Sequence, residues 1–397
     1  MPFNAVTRPG TAAAVLAMLA GREPHAILIA GQPHVGKTTL ALDIARGLLC
    51  TGAVGAERPC GTCRSCRMVD HGNHPDLHRL APTGPGGQIV IGGAGARGIR
   101  DLIGELALLP VEGGARVAIL EAAHRMNDDA QSALLKTLEE PPRATTLILC
   151  ADDEDRLLPT VRSRCARLWI GPAATRDVES LLAARNLAAA PTAARLARLT
   201  MGRPGLAVRY AEATGALPIH DELVRRLLDL LGASRAVRLS GARELVARAG
   251  ELASLLEPVN ATAPTPARGR RRGAVSVEPK AEQPDQQPGP PEEAATDGFE
   301  AAVRVPAAER RRALAMLIEV WRDVARDLAV VGVDPGEVRD PSLLEELEAG
   351  AADLPRGGAV DFLGRLLRAS ELLDTNVAPE LLLDVLVLAW PRRLAAA

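Results

Sequence analysis

At 397 residues with a net charge of −2 and 24% charged residues, the chain has length for two or three domains. It has no overall field that would draw it onto nucleic acid. Aromatics make up only 2%, so Leu, Val, Ile and Ala must fill the core, which favours helix packing over a sandwich and offers no platform for stacking bases. No run of 18 apolar residues occurs and the first residues lack a charged stretch leading into an apolar one. Neither a membrane span nor an export signal is expected, and a cytoplasmic location is.

The first strong pattern lies at residues 26–39. A short apolar run, Ala26-Ile27-Leu28-Ile29-Ala30, enters Gly31-Gln32-Pro33-His34-Val35-Gly36-Lys37-Thr38 and continues through Thr39 into a helical pattern marked by Leu40, Ile44 and Leu48. This is a complete phosphate loop. Gly31 and Gly36 let the backbone turn its N–H groups inward, Lys37 adds a positive charge, and the Thr38 hydroxyl can ligate Mg²⁺. The helix behind it presents its N-terminus to an anion. ATP with Mg²⁺ is therefore an expected ligand, and binding alone does not imply hydrolysis.

Four of the six cysteines follow: Cys50, Cys60, Cys63 and Cys66, spaced Cys-x9-Cys-x2-Cys-x2-Cys. Thiolates this close on a glycine-bearing turn can converge on one tetrahedral Zn²⁺, and four filled positions point to a structural site rather than a catalytic one. Free thiols or disulfides are the plainer reading, and a reducing compartment argues against the latter. His71, His74 and His78 read as surface or polar-core residues.

Residues 76–91, rich in Pro and Gly, read as a loop around a short strand at 88–91. Ile99, Leu102, Ile103, Leu106 and Leu109 give a helix face over 99–109. Residues 116–121 read as a buried strand ending in Glu121, placed to reach Mg²⁺, and followed by Ala122. Residues 130–140 form a helix stopped by Pro141-Pro142, and 146–150 another buried strand. Ser163-Arg164-Cys165 comes next.

With these residues in place the chain resembles the delta-prime subunits of the bacterial DNA polymerase III clamp loader, which are AAA+ proteins. The phosphate loop, the four-cysteine module after its helix, the run from Ala133 through Pro142 and Ser163-Arg164-Cys165 carry the resemblance. It is strong over residues 1–169 and weaker to the C-terminus. It implies an α/β P-loop AAA+ domain at 1–170 with a zinc module at 50–66, a helical lid at 171–215, and an all-α collar at 216–256 and 299–397. It also implies that Arg164 is offered in trans, as an arginine finger, to ATP on a neighbouring subunit. Cys165 by the same match is a packing residue. Implied partners are the gamma/tau and delta subunits in a hetero-pentamer, the sliding clamp, and primed DNA reached through the complex.

Two departures bear on hydrolysis. Ala122 stands where motor subunits carry a catalytic acid, and Gly205, in the lid segment Met201-Gly202-Arg203-Pro204-Gly205-Leu206-Ala207, stands where they carry a sensing arginine. The resemblance therefore implies a stator that holds nucleotide without turnover. A DNA-directed DNA polymerase (nucleotidyltransferase) label would then belong to the holoenzyme. The rival readings are a gamma/tau-type motor ATPase, which Ala122 opposes, a self-contained P-loop kinase, and a zinc-ribbon nucleic-acid module, for which Arg58, Arg64 and Arg67 supply little charge.

Helical patterns continue with Val178, Leu181 and Leu182, then Leu196 and Leu199, then Leu223, Leu227, Leu230 and Leu231. Residues 257–298 are dominated by Pro, Ala, Glu, Gln and Arg, too poor in large apolar groups to offset ordering entropy, and read as a disordered insertion. Its basic run at 268–272 has the charge to contact DNA phosphates, with a solvated loop as the plainer reading. Leu314, Leu317, Trp321, Val324 and Leu328, then Phe362, Leu363, Leu366, Leu367 and Leu372, and a final pattern at 376–386, restore helical order. Deleting 257–298 is expected to leave assembly with partner subunits intact, as read by co-elution; loss of the complex would make the segment an interaction element.

Overall fold

The computed structural model describes residues 5, 9–20, 24–54, 57–83, 87–92, 97–112, 114–257, 306–373 and 377–393. The insertion read at 257–298 lies, from residue 258, outside them. The order of elements is α1 (Pro9–Ala20), β1 (Ala26–Ala30), α2 (Lys37–Leu48), α3 (Arg64–Asp70), β2 (Leu77–Leu80), α4 (Ile99–Leu106), β3 (Arg116–Leu120), α5 (Asp128–Glu139), β4 (Thr145–Ala151), α6 (Pro159–Arg162) and β5 (Ala166–Trp169). Among the described residues, helices alone follow: α7 (Thr175–Ala184), α8 (Ala190–Leu199), α9 (Pro204–Glu212), α10 (Ala216–Asp229), α11 (Arg235–Leu255), α12 (Ala307–Val330), α13 (Leu344–Ala351), α14 (Gly358–Leu373) and α15 (Pro379–Ala389).

The five strands form one parallel sheet in the order β2-β3-β4-β1-β5. Every residue of β1, β3 and β4 is buried, as continuous apolar strands between two helical layers must be. Alternation divides them. Ala26 and Leu28 join Ala118, Leu120, Leu147 and Leu149 under α4, α5 and α6. Ile27 and Ile29 join Val117, Ile119, Ile148 and Cys150 under α1, α2 and α3.

Three sequence expectations are corrected here. Residues 76–91 are not simply a loop, because Leu77–Leu80 forms the edge strand β2, paired in register with Val117 to Leu120 of β3. The strand expected at 88–91 shrinks to a single parallel bridge between Ile89 and Met126. Leu77, His78, Arg79 and Leu80 expose one residue and half-bury two, so no apolar run marks the strand. The helix expected over 99–109 ends at Leu106, with Leu109 left exposed.

The helical part packs around one continuous core that reaches from Val178 to Trp390. Trp321, Phe362 and Trp390 meet there with ring centroids 4.7 to 5.4 Å apart, which concentrates much of a scarce aromatic supply in one place. The last segment is fastened by polar groups. Trp390 Nε1 donates to the Leu227 carbonyl at 2.9 Å, and the buried Arg238 guanidinium donates to the carbonyls of Leu231, Val387, Trp390 and Pro391. Burial and the nearby Arg392 hold Arg238 below the ordinary guanidinium range, at about 10. Among the described residues, no helix is long and apolar enough to cross a membrane.

Trp321→Ala is expected to destabilise the protein by roughly 3–5 kcal/mol through loss of the aromatic contact and the cavity left behind. Denaturant unfolding followed by far-ultraviolet circular dichroism checks this; a midpoint unchanged from the parent would show that the cluster is dispensable.

Candidate functional site

The phosphate loop leaves the C-terminal end of β1 and returns as α2. Gly36 caps that helix in the left-handed region, φ 100°, a conformation open to glycine at little cost. At the other end of the loop, the Gly31 N–H donates to the Ala151 carbonyl at the end of β4, 3.2 Å away. Lys37, at the first turn of α2, is 7% exposed. Its ammonium donates to the carbonyls of Gly31 at 2.8 Å and Gln32 at 2.6 Å, and pairs with Asp152 Oδ1 at 2.6 Å. Thr38 and Thr39 occupy the same half-buried first turn, and Gly36 and Thr39 line a cleft of about 400 Å³ that runs beneath the lid helices to Arg185 and Arg209.

Asp152 was not singled out from the sequence. It follows β4, and only the pairing of β4 with β1, Ala151 against Ala30, brings it to Lys37. Its backbone N–H donates to His124 Nδ1 at 3.0 Å, and its second oxygen lies 3.7 Å from His124 Nε2. Burial is the first cause of a lowered His124 pKa. A neutral ring accepting at Nδ1 fits that environment. The sequence signal was available in the acidic pair Asp152-Asp153 directly after a buried strand.

Glu121 stands at the end of β3 as expected and has an ion-pair partner of its own. It sits just past β3 at the same edge of the sheet, but its carboxylate engages Arg79 of β2 at 2.6 Å, while the P-loop lysine takes Asp152. Ala122 begins the following turn in the left-handed region, φ 51°, with a methyl group as its whole side chain.

The lid is docked directly on the loop. The Gly205 N–H, in the first turn of α9, donates to the His34 carbonyl at 2.9 Å, and a Cβ at Gly205 would stand 2.9 Å from that same oxygen. A glycine therefore permits the contact. His34 itself is brought down to about 4 by burial first, then by Arg209 and Arg203, against the opposing charge of Asp152, with Lys37 adding to the decrease. Three cations and one acid thus face the loop.

Ser163, Arg164 and Cys165 close α6 ahead of β5. Arg164 donates to the Thr160 carbonyl at 2.8 Å and pairs with Glu139 Oε1 at 2.5 Å, joining the end of α5 to the arginine. The platform is rigid: buried Gln131 of α5 donates to the carbonyls of Met126 and Arg156 and accepts from the Leu158 N–H. Cys165 is half-buried against the core of that face, and burial pushes its thiol up to about 11. Ala166 pairs with Ile27 at the start of β1, so Arg164 lies at the N-terminal edge of the sheet. The loop lies at the C-terminal edge, about 20 Å away at about 3.3 Å per residue.

The sulfurs of Cys50, Cys60, Cys63 and Cys66 lie within 4.8 Å of one another. Backbone N–H groups of Cys60, Cys63 and Cys66 point at the sulfurs of Cys50, Cys60 and Cys63 respectively, at 3.4 to 3.5 Å. The N–H groups of Thr62 and Cys63 lower the Cys60 thiol. For Cys63, burial acts upward but is outweighed by the N–H groups of Cys66 and Thr51, which bring it to about 5. Burial raises Cys66. Four convergent soft donors with N–H groups aimed at them suit a metal ion. His74 stays outside the cluster, bonded to Ser65 at 2.9 Å, and His78 pairs with Glu105 at 2.9 Å.

Comparison with known proteins gives a consistent result. Residues 14–173 match the family model described as DNA polymerase III, delta subunit. The chain is 37% identical over 202 residues to the DNA polymerase III subunit delta′ of Escherichia coli (strain K12), covering 48% of this chain and 59% of that protein. It is 31% identical over 230 residues to the tau subunit from the same organism, covering 55% of this chain and 34% of that one. Among solved structures, a DNA polymerase III gamma subunit-related protein from Thermotoga maritima covers 95% of this chain and 97% of its own at 15% identity, with a TM-score of 0.40. The chain spans about half the length of the delta′ relatives it matches.

Gly205→Ala is expected to loosen the lid from the loop at a cost of about 1–2 kcal/mol, through the lost hydrogen bond and the crowding of the His34 carbonyl. Faster amide exchange across residues 31–36 would register it. Gly104→Ala, on an exposed helix position where a Cβ meets nothing within 4 Å, should leave that exchange unchanged.

Proposed function

We propose, for a chain whose residues 14–173 make it a relative of the DNA polymerase III delta and delta′ subunits, that it is a stator of a bacterial clamp loader. In this reading it lends Arg164 to ATP bound on a neighbouring subunit and helps the complex place a sliding clamp on primed DNA. The observation that carries the reading is the position of Arg164. It lies at the edge of the parallel sheet opposite its own phosphate loop, so the loop it can serve is another chain's. A guanidinium there, planar and permanently charged, would neutralise charge developing on the γ-phosphoryl oxygens. Its present partner Glu139 is half-exposed, and such a pair exchanges readily.

The chain's own loop is read as a nucleotide site without turnover. Lys37, Thr38 and Thr39, with Gly31 and Gly36, supply the cradle for ATP and Mg²⁺. Ala122 offers no base, and Glu121 is engaged by Arg79. The intact loop and the likeness to tau favour a motor of gamma/tau type as the second reading; the methyl side chain of Ala122 opposes it.

The architecture that goes with this function is AAA+, with the P-loop domain at 1–170, the lid at 171–215, and a collar at 216–256 and 299–397 that joins gamma/tau and delta subunits in a hetero-pentamer. Zn²⁺ held by Cys50, Cys60, Cys63 and Cys66 would brace the module at 50–66 against α2 and do no chemistry. The place of work is the cytoplasmic replisome.

Arg164→Ala in the assembled loader is expected to slow ATP turnover at the one site it serves by about 10³-fold. The isolated chain should show no turnover with or without the change, and unchanged turnover in the assembly would remove the finger role. Metal analysis of the purified protein is expected to give one zinc per chain, with Cys63→Ser losing metal and stability together; a stable, metal-free parent protein would sink the zinc reading.

A further inference from the structure

Lys37 has three N–H donors to give. All three have acceptors within the chain, namely the carbonyls of Gly31 and Gln32 and the carboxylate of Asp152. A phosphate group arriving at this ammonium therefore has to displace one of them. The carbonyls belong to the loop backbone itself, whereas Asp152 brings a full negative charge to the place where a terminal phosphate would accept.

Asp152 is not a wandering surface acid. The pairing of Ala151 with Ala30 fixes its backbone beside the loop, the Gly31 N–H bonds to the residue before it, and its own N–H is held by the nearly buried ring of His124. With the carboxylate only about one-third exposed, water screens its field incompletely. His34, lowered first by burial and then by the surrounding cations, has Asp152 as its opposing charge.

We propose that the Asp152 carboxylate occupies the terminal-phosphate position at Lys37 and so makes this site select nucleoside diphosphates over triphosphates. The inference rests on the reading of the loop as a nucleotide site. In it, the inner phosphates use the loop N–H groups and the N-terminus of α2, while Arg209 and Arg185 in the adjoining cleft add positive charge from the lid. Each further phosphate then comes closer to a fixed like charge. The carboxylate and a γ-phosphate compete for the same donor, and the added repulsion falls on the triphosphate alone. Selection of this kind needs no conformational change, since the competing group is built into the end of β4.

The test uses the full chain and titrates ADP and ATP by calorimetry, in EDTA and again with Mg²⁺. In EDTA the parent protein is expected to bind ADP about tenfold more tightly than ATP, the scale of one partly screened charge contact. Asp152→Asn, which keeps the shape and removes the charge, and Asp152→Ser should each strengthen ATP binding until the two nucleotides are held alike, with thermal melting checking that both variants fold. Equal affinities in the parent, or a preference unchanged in both variants, would overturn the proposal and leave the nucleotide site standing. ATP binding that depends on Mg²⁺ and is lost in Asp152→Asn would instead make Asp152 a metal-facing ligand and overturn it as well. Binding of neither nucleotide by any of the three proteins would bring down the nucleotide reading itself.

Discussion

Five strands running in one direction impose the constraint on which the remaining structure depends. A parallel sheet has two unlike edges, and each loop is assigned to one of them by whether it leaves a strand or enters it. The phosphate loop, Glu121 and Asp152 leave strands and gather at the C-terminal edge. Arg164 precedes β5 and falls at the other. No side-chain rotation can carry a guanidinium across that span, so backbone direction alone separates what the chain can do for itself from what it can offer to another.

The charged residues that the motifs single out are each matched within the chain. Lys37 has Asp152, Arg164 has Glu139 and Glu121 has Arg79. These pairs differ in character. Lys37 is deeply buried and donates in three directions, which makes its arrangement costly to undo. Arg164 and Glu139 face solvent, where a pair is worth about 0–1 kcal/mol. The chain is therefore guarded at its own loop and loosely held at the arginine it presents outward.

Much of this was legible in the sequence because it is local. The loop's spacing, the cysteine cluster, the apolar runs at β3 and β4 and the proline stop after α5 each lie within a short window, and the structure places them as read. What was not legible depends on distant pairing. Asp152 becomes a partner of Lys37 only because two strands separated by more than a hundred residues lie side by side; the acidic pair after β4 marks a strand end but does not name its partner. β2 escaped notice because an edge strand of four residues with two half-buried positions makes no periodic signal. The pattern from His220 to Leu256 reads as helical, yet the chain turns between Leu230 and Ser234 and begins α11 with Ser234 as its cap. Arg238 could not be foreseen as buried, since three of its four carbonyl partners, Val387, Trp390 and Pro391, lie far along the chain. Glu121 was correctly set at the end of a strand, but Arg79, supplied by the unread β2, takes its carboxylate.

Gln131 gives the outward arginine a mechanical property. Its amide spans the turn after β3 and the segment that leads into α6, with one buried and two partly buried hydrogen bonds. For the segment leading into α6 to shift relative to the sheet, this brace has to break, at the cost of the hydrogen bonds of a buried amide. The backbone that leads to the arginine is consequently fixed to the sheet, while its side chain, paired with the half-exposed Glu139, keeps its own freedom to turn.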